Sequence, residues 1–169
     1  MIDLSQLPDR CLMDTGVLIR ALRQQQTPET EACEAFFKAM VSERKTILIA
    51  APSLAELLRS KPDTKAPISR SVMVVPFDHR AAEILAENLP WKLQKTRAAE
   101  ENVSRAYIKY DAMIAACAKR WNATVIISID GDHRKLAKDL GIESRSPDSY
   151  RMAQLELKAI EGGKSKIGR

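Results

Sequence analysis

Five acidic side chains stand where they could share one reaction. Asp14 closes the short apolar segment Arg10-Cys11-Leu12-Met13, Glu56 follows the apolar run that ends at Ala50, and Asp130 and Asp132 follow the run from Thr124 to Ser128. Each has an ordinary structural use. Asp14 can cap the helix that follows it, Asp130 and Asp132 suit a turn or a cap, and Ser53 and Glu56 have the spacing of a capping box. Asp111 is harder to assign to structure alone. It shares a helical stripe with Tyr107, Ile108, Ile114, Ala115 and Ala118, and no Lys or Arg lies on that stripe within one turn. Such a stripe faces a core, where a carboxylate must protonate, pair with a base or bind a metal.

Carboxylates gathered without bases repel one another, and a divalent cation removes that repulsion. An oxygen-only ligand set suits Mg²⁺ or Mn²⁺, whereas zinc prefers His and Cys. His79 and His133, the only histidines, do not form a metal pair by spacing. The reaction such a site suits is phosphodiester hydrolysis, in which the cation activates water and stabilises the leaving oxygen without a protein nucleophile.

Strands must hold these acids at one edge. Residues 10–14, 46–50, 72–75 and 124–128 are short and apolar throughout, and a further short strand is expected at 142–145. Between them, apolar residues recur at helical spacing: Leu18, Ala21 and Leu22; Ala32, Phe36, Ala39 and Met40; Leu54 to Leu58; Ala82, Leu85 and Leu89; the stretch up to Trp121; and Leu136, Ala137 and Leu140. Asp78 caps the fourth of these helices and Gly141 ends the sixth. The helical spacing after Gly131 argues against a hairpin at Asp130-Gly131. Residues 91–102 read as a charged connection, residues 149–160 as a terminal helix and 162–169 as a basic, flexible tail. Apolar strands alternating with helices specify a parallel sheet covered on both faces, whose sites lie beyond the carboxyl ends of the strands.

With 169 residues and 45% hydrophobic content, the chain has the size of one domain, expected over residues 1–161 with its core at about 10–147. A net charge of +5 and a pI near 9.2 favour approach to polyanions. Cys11, Cys33 and Cys117 are odd in number and lie in apolar segments, which excludes a disulfide framework or zinc knuckle. Neither a leader nor a stretch long enough to cross a bilayer is evident, so the expected location is the cytoplasm, with no membrane partner.

Four segments in order, Leu12-Met13-Asp14-Thr15-Gly16-Val17-Leu18-Ile19, Ser53-Leu54-Ala55-Glu56-Leu57-Leu58, Asp111-Ala112-Met113-Ile114-Ala115-Ala116 and Ile127-Ser128-Ile129-Asp130-Gly131-Asp132, resemble the PIN-domain nucleases. The resemblance implies a three-layer α/β/α sandwich with a central parallel sheet of four to five strands. It implies catalytic acids at Asp14, Glu56, Asp111 and Asp130, and Mg²⁺ or Mn²⁺ ligands among Asp14, Asp111, Asp130 and Asp132. Thr15 and Ser128 match the hydroxyl positions beside those acids. His133 stands where the family often has an aromatic residue.

Small proteins of this layout are commonly VapC-type toxins of type II toxin-antitoxin systems, endoribonucleases silenced by a cognate antitoxin. The expected partners are therefore RNA, an antitoxin protein and a second copy of the chain in a homodimer. Arg20, Arg105 and Lys109 are candidate phosphate contacts, the last two being four apart on one helix face. The alternatives are an RNA-processing nuclease that is not a toxin, and a non-catalytic RNA-binding module on the same fold. A phosphoacceptor receiver domain would want an adjacent acid pair near the first strand and a Lys after the last, and neither is present.

Overall fold

The computed structural model describes residues 2–22, 27–60, 67–89 and 105–151, with residues 105–108 and 132 described by their backbone alone. Five strands, β1 (Arg10–Met13), β2 (Thr46–Ala50), β3 (Val72–Val75), β4 (Val125–Ile127) and β5 (Glu143–Arg145), form an all-parallel sheet in the order β3-β2-β1-β4-β5. The helices are α1 (Thr15–Ala21), α2 (Pro28–Ser42), α3 (Ala51–Ser60), α4 (His79–Asn88), α5 (Arg105–Arg120) and α6 (Gly131–Asp139), with short 3-10 turns at Leu4–Gln6 and Pro147–Tyr150. This is the α/β fold that the alternating pattern specifies.

Alternation along each strand divides the core in two. Cys11, Met13, Ile47, Ile49, Val125 and Ile127 face a cluster with Val17, Leu18, Phe36, Met40 and Leu57, so α1, α2 and α3 cover that side. Leu12, Leu48, Ala50 and Ile126 face the other way, onto Ile84, Ile114, Ala115, Ala118, Leu136 and Leu140 from α4, α5 and α6. Leu12 sits opposite both Leu48 and Ile126, which makes it the middle of the central strand. On α5, Ala112, Ala115, Ala116 and Ala118 are all buried. Such small side chains let a helix lie close to the sheet, which brings Asp111 near the strand ends.

The three helices that feed directly into strands end alike. Arg44, Asn122 and Gly141 adopt positive φ after α2, α5 and α6. In each case the next residue's N–H reaches five residues back, as in Lys45 to Met40, Ala123 to Ala118 and Ile142 to Ala137. This Schellman closure satisfies the last carbonyls and turns the chain into β2, β4 and β5.

Several local expectations change. The helix carrying Glu56 starts at Ala51, so Ser53 lies in its first turn, fully buried, and its Oγ has no partner among the described residues. The Ser53–Glu56 capping box is therefore not formed. Gly131 opens α6, two residues before the expected start, and β5 begins at Glu143. The expected connection at 91–102, almost all of the terminal helix and the tail lie outside the described residues. Among those described, no helix is long and apolar enough to cross a membrane.

Truncating Leu12 to Ala is expected to lower unfolding stability by about 2–5 kcal/mol, because a fully buried side chain in a two-sided sheet leaves a cavity that cannot collapse. Equilibrium denaturant unfolding measures it.

Candidate functional site

The sheet order places the site. From β1 the chain winds one way to β2 and β3, then returns to add β4 and β5 on the other side, so the crevice at the carboxyl ends opens between β1 and β4. Asp14 and Ser128 stand at those two strand ends. The Asp14 N–H donates to the Ile127 carbonyl at 3.0 Å, prolonging the ladder by one residue and fixing the two positions side by side.

Asp14 caps α1: its Oδ1 accepts the Thr15 N–H at 2.7 Å, and its Oδ2 accepts the Ser128 hydroxyl at 3.1 Å. The Ser128 Oγ in turn accepts the Asp130 N–H at 3.0 Å, which shapes the turn into α6. That turn delivers His133 to the site. Its Nε2 lies 3.0 Å from Asp14 Oδ1 and 3.3 Å from Asp111 Oδ1. All three residues are buried, with Asp14 at 6%, Asp111 at 7% and His133 at 2% exposure.

The buried Asp111 thus pairs with a base, but one supplied by another helix. Burial alone would push the His133 pKa down; the hydrogen bonds to Asp111 and Asp14 and their charges outweigh it, and the pKa is pushed up to about 10. Burial would likewise raise the Asp14 carboxyl, but the His133 imidazolium, the Ser128 hydroxyl and the Thr15 N–H together hold it below the usual range. The absence of bases inferred from sequence is corrected here: an imidazolium offsets the repulsion between the two carboxylates.

Asp14 and Asp111, but not His133, line a cleft of about 800 Å³ together with Thr15, Glu56 and Asp130 and, among cations, Arg20 and Arg59. Leu57 anchors α3 in the core, and α3 packs against both α1 and α5, which places Glu56 on the cleft wall. Arg20 is held by a 3.2 Å bond to the Gly16 carbonyl and a 3.4 Å ion pair with Glu29. Lys109 is exposed on α5 and is not part of the lining. The side chains of Asp132 and Arg105 lie outside the described residues.

Two contributors escaped the sequence reading. Arg59 sits one turn after Glu56 on α3 and could have been found from that spacing. His133 shows in the sequence only as a departure from the family's aromatic residue that makes no metal pair with His79. Its partners are distant in sequence, and only the fold joins them.

The donor set fits a hard divalent cation. Asp14 and Asp111 reach one common point, Glu56 and Asp130 line the same cleft, and the Thr15 Oγ1 beside them is buried with no partner among the described residues. As they stand, no three His, Cys, Asp or Glu side chains among the described residues already enclose an ion. Modest side-chain adjustment would be part of loading.

A doubly wound α/β domain with an acidic cleft at its topological switch point is the class that fold and site define. A family model for the PIN domain matches residues 11–139, and the chain belongs to that family. PIN domains are generally nucleases and generally use divalent metals. No curated protein sequence matches.

Among solved structures, the chain is similar to FitAcB from Neisseria gonorrhoeae, with 19% identity and a TM-score of 0.52 over 81% of this chain and 97% of that one. It is also similar to VapBC2 from Rickettsia felis bound to a DNA fragment from their promoter, with 14% identity and a TM-score of 0.54 over 81% and 98% of the two chains. DNA-bound VapBC from Salmonella typhimurium gives 21% identity and a TM-score of 0.53 over 82% and 98%. At these identities the likeness concerns the fold.

The pH dependence of the metal-free protein follows from the shifted groups. His133 has a raised pKa, so its contribution to stability is full below about pH 6.5, the unfolded value, and is lost as pH rises towards about 10. Asp14, with a lowered pKa, contributes above its unfolded value and loses that contribution as pH falls through its folded one. Thermal unfolding of the chelated protein from about pH 2 to about pH 10 should show both flanks, and His133→Phe should remove the alkaline one.

Proposed function

We propose that this protein is a Mg²⁺- or Mn²⁺-dependent endoribonuclease of the VapC toxin type. The observation that carries this reading is the meeting of Asp14 and Asp111 at the β1/β4 crevice, in a cleft that Glu56 and Asp130 also line. Asp14, Asp111 and Asp130 are the proposed ligands, with Asp132 beside them in sequence; Glu56 is placed to orient or deprotonate water. Thr15 and Ser128 hold Asp14 through its two oxygens, one by the backbone N–H and the other by the hydroxyl. The cation, when bound, supplies Lewis-acid activation of water and takes up charge on the leaving oxygen. Arg20 and Arg59 can hold neighbouring phosphates of the strand. Arg105 and Lys109 remain candidates for contacts further along it.

Labelled RNA incubated with purified protein and Mg²⁺ or Mn²⁺ should be cleaved, and a chelator should stop it. Asp14→Asn should lower the cleavage rate by at least about 100-fold, since the ligand charge is lost while the shape is kept. Relief of carboxylate repulsion alone would make that variant more stable, but Asp14 also serves as a counter-charge to His133. The substitution removes one of two counter-charges of a buried imidazolium and should destabilise the metal-free protein by about 1.5–3 kcal/mol. Full metal-dependent activity in Asp14→Asn would reduce Asp14 to a helix cap, and RNA left intact by the wild type with either ion would end the nuclease assignment.

The toxin part of the reading is supported by the family and by the likeness to VapBC and FitAcB chains. A cognate antitoxin should place a basic side chain, best an Arg, against the acidic cleft, because a guanidinium bridges carboxylates in a planar, bidentate way. Expression of the protein alone should arrest growth of the host cell, and co-expression of the product of a small neighbouring gene should restore it. Harmless overexpression of an active nuclease that forms no complex with that product would leave an RNA-processing enzyme instead. A homodimer is the proposed assembly, and sedimentation at micromolar concentration tests it.

A further inference from the structure

The two walls of the cleft differ in kind. The α3 wall carries Glu56, Arg59 and Ser60, all polar, whereas the wall made by α1 and the turn from β4 into α6 carries Gly16, Ile19 and Ile129 beside Arg20. Ile19 packs on the core with part of its surface and lines the cleft with the rest. A single exposed isoleucine elsewhere on a protein needs no explanation. Ile129, however, is 36% exposed in the cleft itself, in a turn closed by the bond from the Asp130 N–H to the Ser128 Oγ. Gly16 lies at the centre of this wall. A methyl group there would stand 3.5 Å from Asp14 Oδ2, 3.6 Å from Arg20 Nη1 and 3.8 Å from Ile129 Cδ1. One bare α-carbon is thus bordered by a carboxylate, a guanidinium and an apolar side chain.

A nucleotide strand brings matching groups at the same scale: the phosphodiester to be cut, a neighbouring phosphate and a base, joined through a ribose. We propose that Ile129 and Ile19 seat one unpaired base of the RNA beside the bond to be cut, with Gly16 leaving the ribose room to approach Asp14. The inference rests on the nuclease reading above and names the part of the strand that this wall recognises. The faces of a base are apolar, so they can lie against isoleucine while the polar edges stay open to water. Inside a duplex those faces are covered by neighbouring bases, and single-stranded RNA exposes them. Arg20 and Arg59 in the same cleft favour a polyanionic strand over a protein segment as the occupant.

The test uses single-stranded oligoribonucleotides covering every dinucleotide step, incubated with the full chain in Mg²⁺ or Mn²⁺ and mapped for the cut. A cleaved strand is then remade with an abasic ribose at each nucleotide near that cut. At one of the two flanking nucleotides the loss of the base should raise KM about tenfold, as expected when roughly 60 Å² of apolar burial is lost. Abasic positions further along should change it less. On the intact strand Ile129→Ser should raise KM by a similar factor with a smaller change in kcat. Ile129→Leu keeps the apolar contact and should stay within about threefold of the wild type. On the abasic strand Ile129→Ser should cost nothing further, because both changes remove the same contact.

An unchanged KM in Ile129→Ser, or costs that multiply when the variant meets the abasic strand, would overturn the base seat while leaving the nuclease standing. Unchanged KM together with lost binding of the product of the small neighbouring gene would overturn it as well, giving the wall to a protein partner. Strands left intact by the wild type with either ion would end the nuclease reading and this inference with it. Should Ile129→Ser fail to fold by circular dichroism, the abasic series on the wild type decides the matter alone, and equal KM along that series overturns the seat.

Discussion

Two carboxylates are buried at the switch point of this sheet, and one imidazole from a third element holds them both. A lone buried carboxylate is costly enough to protonate or to unfold its surroundings. Asp14 avoids that by accepting three hydrogen bonds, from Thr15, Ser128 and His133. Asp111 gains the same imidazole from across the crevice. The geometry that satisfies them depends on three separate connections: β1 into α1, the α5 face, and β4 into α6. A shift in any one would leave an uncompensated charge, so the interaction couples the two cores on either side of the sheet.

That coupling explains the detail of the local structure. Ser128 is tied to Asp14 through its hydroxyl and to the Asp130 N–H through its oxygen, so one small residue sets both the cap of α1 and the approach to α6. The alanines of α5 allow it to run close to the sheet, and Asp111 is the polar residue at the end of that buried run. The repeated Schellman closures give β2, β4 and β5 the same kind of entry.

Much of this was legible in the sequence because it is local or periodic. Strands apolar on both faces announced a parallel sheet, and the stripe carrying Asp111 announced a carboxylate in need of a partner. The partner was not legible. His133 lies 22 residues from Asp111 and 119 from Asp14 in the chain, and spacing rules reach only one or two helical turns. Ser53 shows the opposite failure, a local rule that matched and was overridden. Helix α3 begins earlier because Ala51 and Pro52 directly follow β2, and the buried Ser53 takes a place in the first turn rather than before it.

The distribution of charge around the cleft joins the fold to the proposed reaction. The chain as a whole is cationic, with a net charge of +5, yet its cleft presents four carboxylates. A polyanion approaching that floor would be repelled unless the carboxylates were already compensated. His133 does so for two of them, and a bound divalent cation would extend that compensation to Glu56 and Asp130. Arg20 is not consumed in this balance, since its guanidinium is held by the Gly16 carbonyl and Glu29 rather than by Asp14. It stays on the wall as a positive group beside the acids, as Arg59 does from α3. An acidic floor compensated by His133 and a bound cation, flanked by arginines not paired with its carboxylates, is an arrangement able to hold a phosphodiester over a metal site. The same cations would do nothing for a neutral substrate, and that asymmetry favours a nucleic-acid strand as the ligand of this cleft.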